Sequence, residues 1–182
     1  MAISIRRWLR SGFLRRRPGW LFVVIALLLL VRAFRDEKTP SEFDYESSQA
    51  YRVARVIDGD TLLLEGGHRV RLIGVDTPET KHPQRPAEPL GPEATKFVRQ
   101  QIGGKTVTLQ FDRERRDRYR RILAFVYVDG RLLNEELIRE GYGRAMLNYP
   151  YSRQMKRRFA EAERQAREAK RGIWGLTPEF NR

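Results

Sequence analysis

The sequence predicts an α+β domain in which a small closed β-barrel of five strands carries three packed α-helices. Three observations predict it. Apolar runs with strand character and glycine turns fill residues 51–75, and further runs follow at 105–111 and 122–128. One stretch of helical period separates the first three strands from the last two, and two more follow. The 182 residues leave room for one domain once an amino-terminal segment is set aside.

That segment spans residues 1–35. Arg6, Arg7, Arg10, Arg15, Arg16 and Arg17 stand there without an acid among them, and an unbroken apolar run from Trp20 to Val31 follows. A helix of about 12 residues is about 18 Å long, against a hydrocarbon core of about 30 Å. Snorkelling arginines narrow the gap. The expected reading is a hydrophobic helix retained as a single membrane anchor. The positive-inside rule then keeps the amino terminus in the cytoplasm and sends the domain across. A cleaved signal, cut near Val31-Arg32-Ala33 and releasing a secreted protein, is the alternative. A core helix of a soluble protein is a third. Residues 36–50 are polar and without period, as in a tether, and residues 177–182 form a tail.

The domain is expected over residues 51–176. Residues 51–57 read as the first strand. Leu62 to Val70 read as strand, glycine turn and strand, the last continuing to about Val75. Pro83, Pro86, Pro89 and Pro92 rule out regular structure over 81–92, although Pro92 suits the first turn of a helix. That helix carries Ala94, Phe97, Val98 and Ile102 on one stripe and stops at Gly103-Gly104. Val107, Leu109 and Phe111 alternate along a fourth strand. Ile122 to Val128 is apolar on both faces, as a central strand requires. After the turn at Asp129-Gly130, Asn134 is expected to cap a short helix that Gly141 ends. Ser152 is expected to cap a longer one, with Met155, Phe159, Ala162, Ala166 and Ala169 along its inner side and Gly172 at its end. Ile173-Trp174 would then fold back onto the core. This order suits the five-stranded OB-fold.

The net charge is +13, of which residues 1–38 contribute +7 and the remainder +6. The domain itself is thus basic and attracts polyanions, nucleic acid or anionic lipid. Cysteine is absent, which excludes disulfides, thiolate nucleophiles and cysteine-based zinc sites. His68 and His82, the only histidines, stand at unrelated positions and argue against a zinc or histidine-nucleophile centre. The chemistry points instead to two acidic clusters, Asp58-Gly59-Asp60-Thr61 and Asp76-Thr77-Pro78-Glu79-Thr80. The hairpin between them brings both to neighbouring strand ends, so Asp60 and Asp76 could face one another. Carboxylates gathered beside arginines repel one another unless a cation binds, which points to metal-assisted chemistry on a phosphate.

The string from Val56 to Thr61, then Arg71-Leu72-Ile73-Gly74-Val75-Asp76-Thr77-Pro78-Glu79-Thr80, resembles the staphylococcal nuclease family. Gly91-Pro92-Glu93-Ala94, Asp117-Arg118-Tyr119-Arg120-Arg121, and Val128-Asp129-Gly130 with Asn134-Glu135 match it in order. The resemblance runs from about Tyr51 to Trp174. It implies an OB-fold nuclease that cleaves DNA and RNA phosphodiesters with Ca2+ and leaves a 3′-phosphate. By the same resemblance Asp60 and Asp76 are direct metal ligands, and the Thr77 carbonyl supplies a neutral one. Asp58 orients metal-bound water. Glu79 takes the place of the general base, and Arg71 and Arg121 those of the phosphate-binding arginines. Tyr119, Arg118 and Tyr149 contact substrate, bases stacking on the aromatic rings. The family usually carries glycine where Arg120 stands, so Arg120 competes with Arg121 for the phosphate role, and its side chain is expected to constrain the turn that glycine would relax. A monomer acting on nucleic acid is expected. The rival reading is a non-catalytic OB-fold module that binds nucleic acid or protein, and a third is a membrane-surface protein whose basic domain binds anionic lipid.

Overall fold

Alternation along the first strands decides the architecture, because each strand has one apolar side to bury. The structure, a computed structural model, describes residues 49–80 and 88–176. Strands β1 (Ala50–Asp58), β2 (Thr61–Leu64) and β3 (Arg69–Leu72) form an antiparallel meander. β4 (Val75–Asp76) leaves it, and α1 (Gly91–Ile102), β5 (Thr106–Gln110) and β6 (Ile122–Val128) follow. β5 pairs with β1 and β6 with β5, both antiparallel, and β3 pairs with β6 in parallel, Val70 opposite Ile122. The ring β1-β2-β3-β6-β5 is therefore closed, and closure removes the free edges of an open sheet. Leu62, Leu64, Val70, Leu72, Val107 and Leu109 are buried in the core.

Three helices cover the barrel. On α1, Ala94, Val98 and Ile102 are buried, and Phe97 lies 5.0 Å from the Tyr142 ring. A short strand β7 (Arg131–Leu132) leads into α2 (Leu133–Arg139). β8 (Arg144–Ala145) then precedes α3 (Arg153–Glu168), whose Phe159 packs edge-on to Phe125 of β6 at 6.0 Å. Ser152 caps α3 as expected, its Oγ accepting from the Met155 amide. A 3-10 turn, Gly172–Gly175, buries Ile173, while Arg167 stacks 4.1 Å from the Trp174 ring.

The structure corrects three details. Asn134 is no cap: the N-cap position is Leu132, and Asn134 is buried inside α2's first turn. Its Oδ1 accepts from the Val126 amide at 2.9 Å and its Nδ2 donates to the Ile73 carbonyl at 2.8 Å, tying α2 to β6 and to the end of β3. The strand expected to reach Val75 stops at Leu72. Gly74 has φ 75°, and a Cβ there would lie 2.7 Å from Phe159, so the backbone turns and sends Val75–Asp76 to pair with Arg144–Ala145. Ala169 is exposed, and α3 closes before Gly172, with Lys170 at φ 51° in the left-handed position.

Replacing Asn134 with leucine should cost about 3 kcal/mol, because the Val126 amide and Ile73 carbonyl would each lose a buried partner. Chemical unfolding measures it, and a loss below about 1 kcal/mol would mean that water replaces the amide.

The expected anchor over 1–35, most of the tether and proline-rich segment, and the tail from 177 lie outside the described residues. Among the described residues, no helix is long and apolar enough to cross a membrane.

Candidate active site

Strand ends place the acids. β1 ends at Asp58, the turn Gly59-Asp60 leads into β2, and β4 ends at Asp76, where the meander's departure from the barrel brings it beside Asp60. Asp60 is buried, 8% exposed. Its Oδ1 accepts from the Thr61 hydroxyl at 2.9 Å, and its Oδ2 from the Thr77 amide at 3.2 Å and hydroxyl at 3.3 Å. Arg71, half-buried on β3, spans both carboxylates: Nη1 ion-pairs with Asp60, and Nη2 reaches Asp76 Oδ1 at 2.8 Å. Burial pulls the Arg71 guanidinium below its ordinary value, Asp76 opposes that, and Arg121 adds to it.

Asp58 points elsewhere. Its Oδ1 accepts from the Gly59 amide at 2.9 Å and from the hydroxyls of Thr80 at 3.0 Å and Thr95 at 3.3 Å. Asp58 thus links the acidic loop to α1, one step removed from Arg71. Glu79 is exposed on the segment after β4. Its amide donates to Glu88 Oε2 at 3.1 Å, and its carbonyl accepts from the Glu88 amide at 2.9 Å.

Arg121 and Arg71 both line a cavity of about 510 Å³, whose wall also includes Arg116, Arg118, Tyr119 and Tyr149. The pairing of β4 with β8 draws the chain toward Tyr149, because Met146 donates to the Gly74 carbonyl at 2.9 Å. Tyr119 and Tyr149 are both exposed, at 64% and 58%. Arg118 lies 4.8 Å from the Tyr119 ring and donates to its hydroxyl at 2.7 Å, and Arg121 lies 5.5 Å from the same ring. Beneath them Tyr151 is buried, which pushes its hydroxyl up to about 12, with Glu163 adding to the shift.

Sequence reasoning gave no role to Asp117, which builds this wall. Its Oδ1 accepts from the amides of Tyr119 and Arg121, and its Oδ2 takes Arg121 Nε at 2.7 Å. Burial alone would raise the Asp117 carboxyl, but the Arg121 hydrogen bonds outweigh it and hold it below the usual range. An aspartate two residues before its amide partner is the signal that could have found it. Ser152 is a similar case: its amide donates to Asp112 Oδ2 at 2.8 Å, which fastens α3 to the end of β5.

Arg120 adopts φ 62°, the left-handed region where glycine is free of strain. Its side chain is exposed, whereas Arg121 is part of the cavity wall. Arg120→Gly should therefore raise stability by about 0.5 kcal/mol: strain relief of about 1–2 kcal/mol is offset by the glycine's added chain entropy. Thermal unfolding reads it. A lower midpoint would mean that Arg120's side chain holds the turn.

Among the described residues, no group of three or more His, Cys, Asp or Glu is gathered as a metal cage. Two carboxylates do converge, since one guanidinium reaches Asp60 and Asp76 together. With the Thr77 carbonyl they make a set of hard oxygen donors, which fits a hard divalent cation that keeps waters or takes phosphate oxygens.

Residues 69–175 match the family described as Staphylococcal nuclease homologue. The chain is 37% identical over 165 residues to the thermonuclease of Staphylococcus hyicus, covering 86% of this chain and 95% of that one. To the thermonuclease of Staphylococcus intermedius it is 36% identical over 162 residues, with the same coverage of 86% and 95%. To endonuclease YncB of Bacillus subtilis (strain 168) it is 39% identical over 124 residues, 66% of this chain and 59% of that protein. With the closed five-stranded barrel and its three helices, these matches establish that the chain belongs to the staphylococcal nuclease family.

Proposed function

We propose that this protein is a calcium-dependent nuclease that hydrolyses phosphodiester bonds of DNA or RNA, tethered by its amino-terminal segment with the domain outside the cytoplasm. Hydrolase activity on phosphodiesters follows from the family and from its thermonuclease and endonuclease relatives. The observation that carries the reading is the cavity itself, where Arg71 and Arg121 stand together beside the Asp60–Asp76 pair.

Each residue has work suited to its chemistry. Arg71 and Arg121 bind the oxygens of the scissile phosphate in forked geometry and counter the charge that builds up during transfer. Asp117 aims Arg121 at that position through its Nε. Glu79 accepts the proton of the attacking water. Asp60, Asp76 and the Thr77 carbonyl hold calcium, which when bound supplies a Lewis acid for the phosphate and a site for water. Tyr119 and Tyr149 offer exposed rings on which splayed bases stack, so single strands and frayed ends are the favoured substrates. The apolar run before the domain and its flanking arginines support the tether.

Incubating the full-length protein with single-stranded DNA and with RNA in calcium, in magnesium and in EDTA tests the reading. Cleavage should occur in calcium and vanish in EDTA. Binding without cleavage in every cation would instead favour a non-catalytic module.

A further inference from the structure

Six arginines fall within residues 113–121, at or beside the cavity wall. Three have an occupation. Arg121 pairs with Asp117, Arg118 lies on Tyr119, and Arg115 sits 4.9 Å over the Phe111 ring. Arg116 and Arg120 are both exposed, and among the described residues neither pairs with a carboxylate or lies over a ring. Arg116 belongs to the cavity wall, and its Nη1 donates to the Arg120 carbonyl at 3.4 Å. That contact uses one of five guanidinium donors and seats the Arg116 head group against the backbone of Arg120.

On α3, Arg158, Arg164 and Arg167 each meet a glutamate, whereas Arg153, Lys156 and Arg157 pair with no carboxylate among the described residues. Beside the cavity Arg116 and Arg120 are joined through that contact, and Arg120 rises from a left-handed turn that strains any side chain bearing a Cβ. An exposed cationic pair of this kind attracts a doubly coordinated anion, and each fork matches two phosphate oxygens. The nuclease reading assigns Arg71 and Arg121 to the scissile group, so the outer pair has a different phosphate to meet.

We propose that Arg116 and Arg120 form a second phosphate subsite, which grips a phosphodiester of the polynucleotide flanking the one cleaved. It rests on the nuclease reading above and deepens it: the enzyme gains affinity with substrate length. Each such contact releases counterions, so it appears in the salt dependence as well as in affinity.

The full-length protein and its R116Q, R120Q and R120G variants are compared on a single strand of roughly 20 nucleotides and on a dinucleotide with one phosphodiester, across a series of salt concentrations. R116Q and R120Q should each raise KM for the long strand about fivefold and flatten its log–log salt slope by about 0.7, so its advantage over the dinucleotide narrows accordingly. R120G should behave as R120Q does, although it relaxes the turn. Wild-type slopes and an unchanged length advantage in R116Q and R120Q would overturn the subsite. So would a loss in R120G with a normal R120Q, which would assign the effect to the backbone. Should the wild type cleave neither substrate, the nuclease reading falls, and fluorescence anisotropy of the long strand still judges the subsite by the same slopes.

Discussion

Arg71→Ala should lower turnover about 10³-fold while the barrel stays folded, because one aimed donor of transition-state charge is worth about that much. The residue sits on β3 opposite Leu123 of β6, two residues after Arg121, so its position is set by the barrel. Lysine should recover only part of the loss, since it restores charge without the two-pronged geometry. A second readout separates this from general damage. In the free protein Arg71 holds both Asp60 and Asp76, the two carboxylates assigned to calcium. Removing it leaves them facing one another without a counterion. Calcium titration by calorimetry should then show binding at least as tight as in the wild type, and the melting temperature in EDTA should fall and recover on adding calcium. Turnover near the wild-type value would take Arg71 out of the chemistry. Loss of calcium binding together with activity would mean that Arg71 organises the acids instead of the phosphate.

The barrel strands and α1 were legible because their information is local: period two, period 3.6, glycine turns, a proline at a helix start. What sequence reasoning missed is held by contacts across long separations. Asn134 stands near the start of a helix with two acids after it, the pattern of a cap, but its amide is used by Ile73, distant in the chain. Nothing in the local string signals that. Thr95 carries no local signal of its partner, and only the fold shows its hydroxyl at Asp58. Ala169 extended a stripe in period but fell beyond the point where Lys170 reverses the backbone. The candidate site was more readable than its supports, because acids and arginines carry chemistry in their identity. Arg120 is the instructive middle case: the missing glycine pointed to a constrained turn, and the positive φ at that position bears this out.

Glu79→Gln should cost about 10²–10⁴-fold in kcat, the range general-base catalysis supplies, with a smaller change in KM. The substitution keeps shape and removes the proton acceptor. Glu79's carboxylate is exposed, yet its backbone is fastened on both sides. Glu88 receives its amide and donates to its carbonyl, and the start of α1 is pressed against the same loop: a Cβ on Gly91 would lie 2.9 Å from the Pro78 carbonyl oxygen and 3.1 Å from that of Glu79. A side chain set on so constrained a segment can be aimed without being buried. The pH profile makes the test specific. A base works only when ionised, so wild-type activity rises as pH climbs through its pKa, and the glutamine variant should lose that acidic limb while keeping a low residual rate. A limb that persists in the variant at reduced height would belong to another group, with Glu79 only orienting the water. An unreduced rate would move the proton acceptor elsewhere in the cavity.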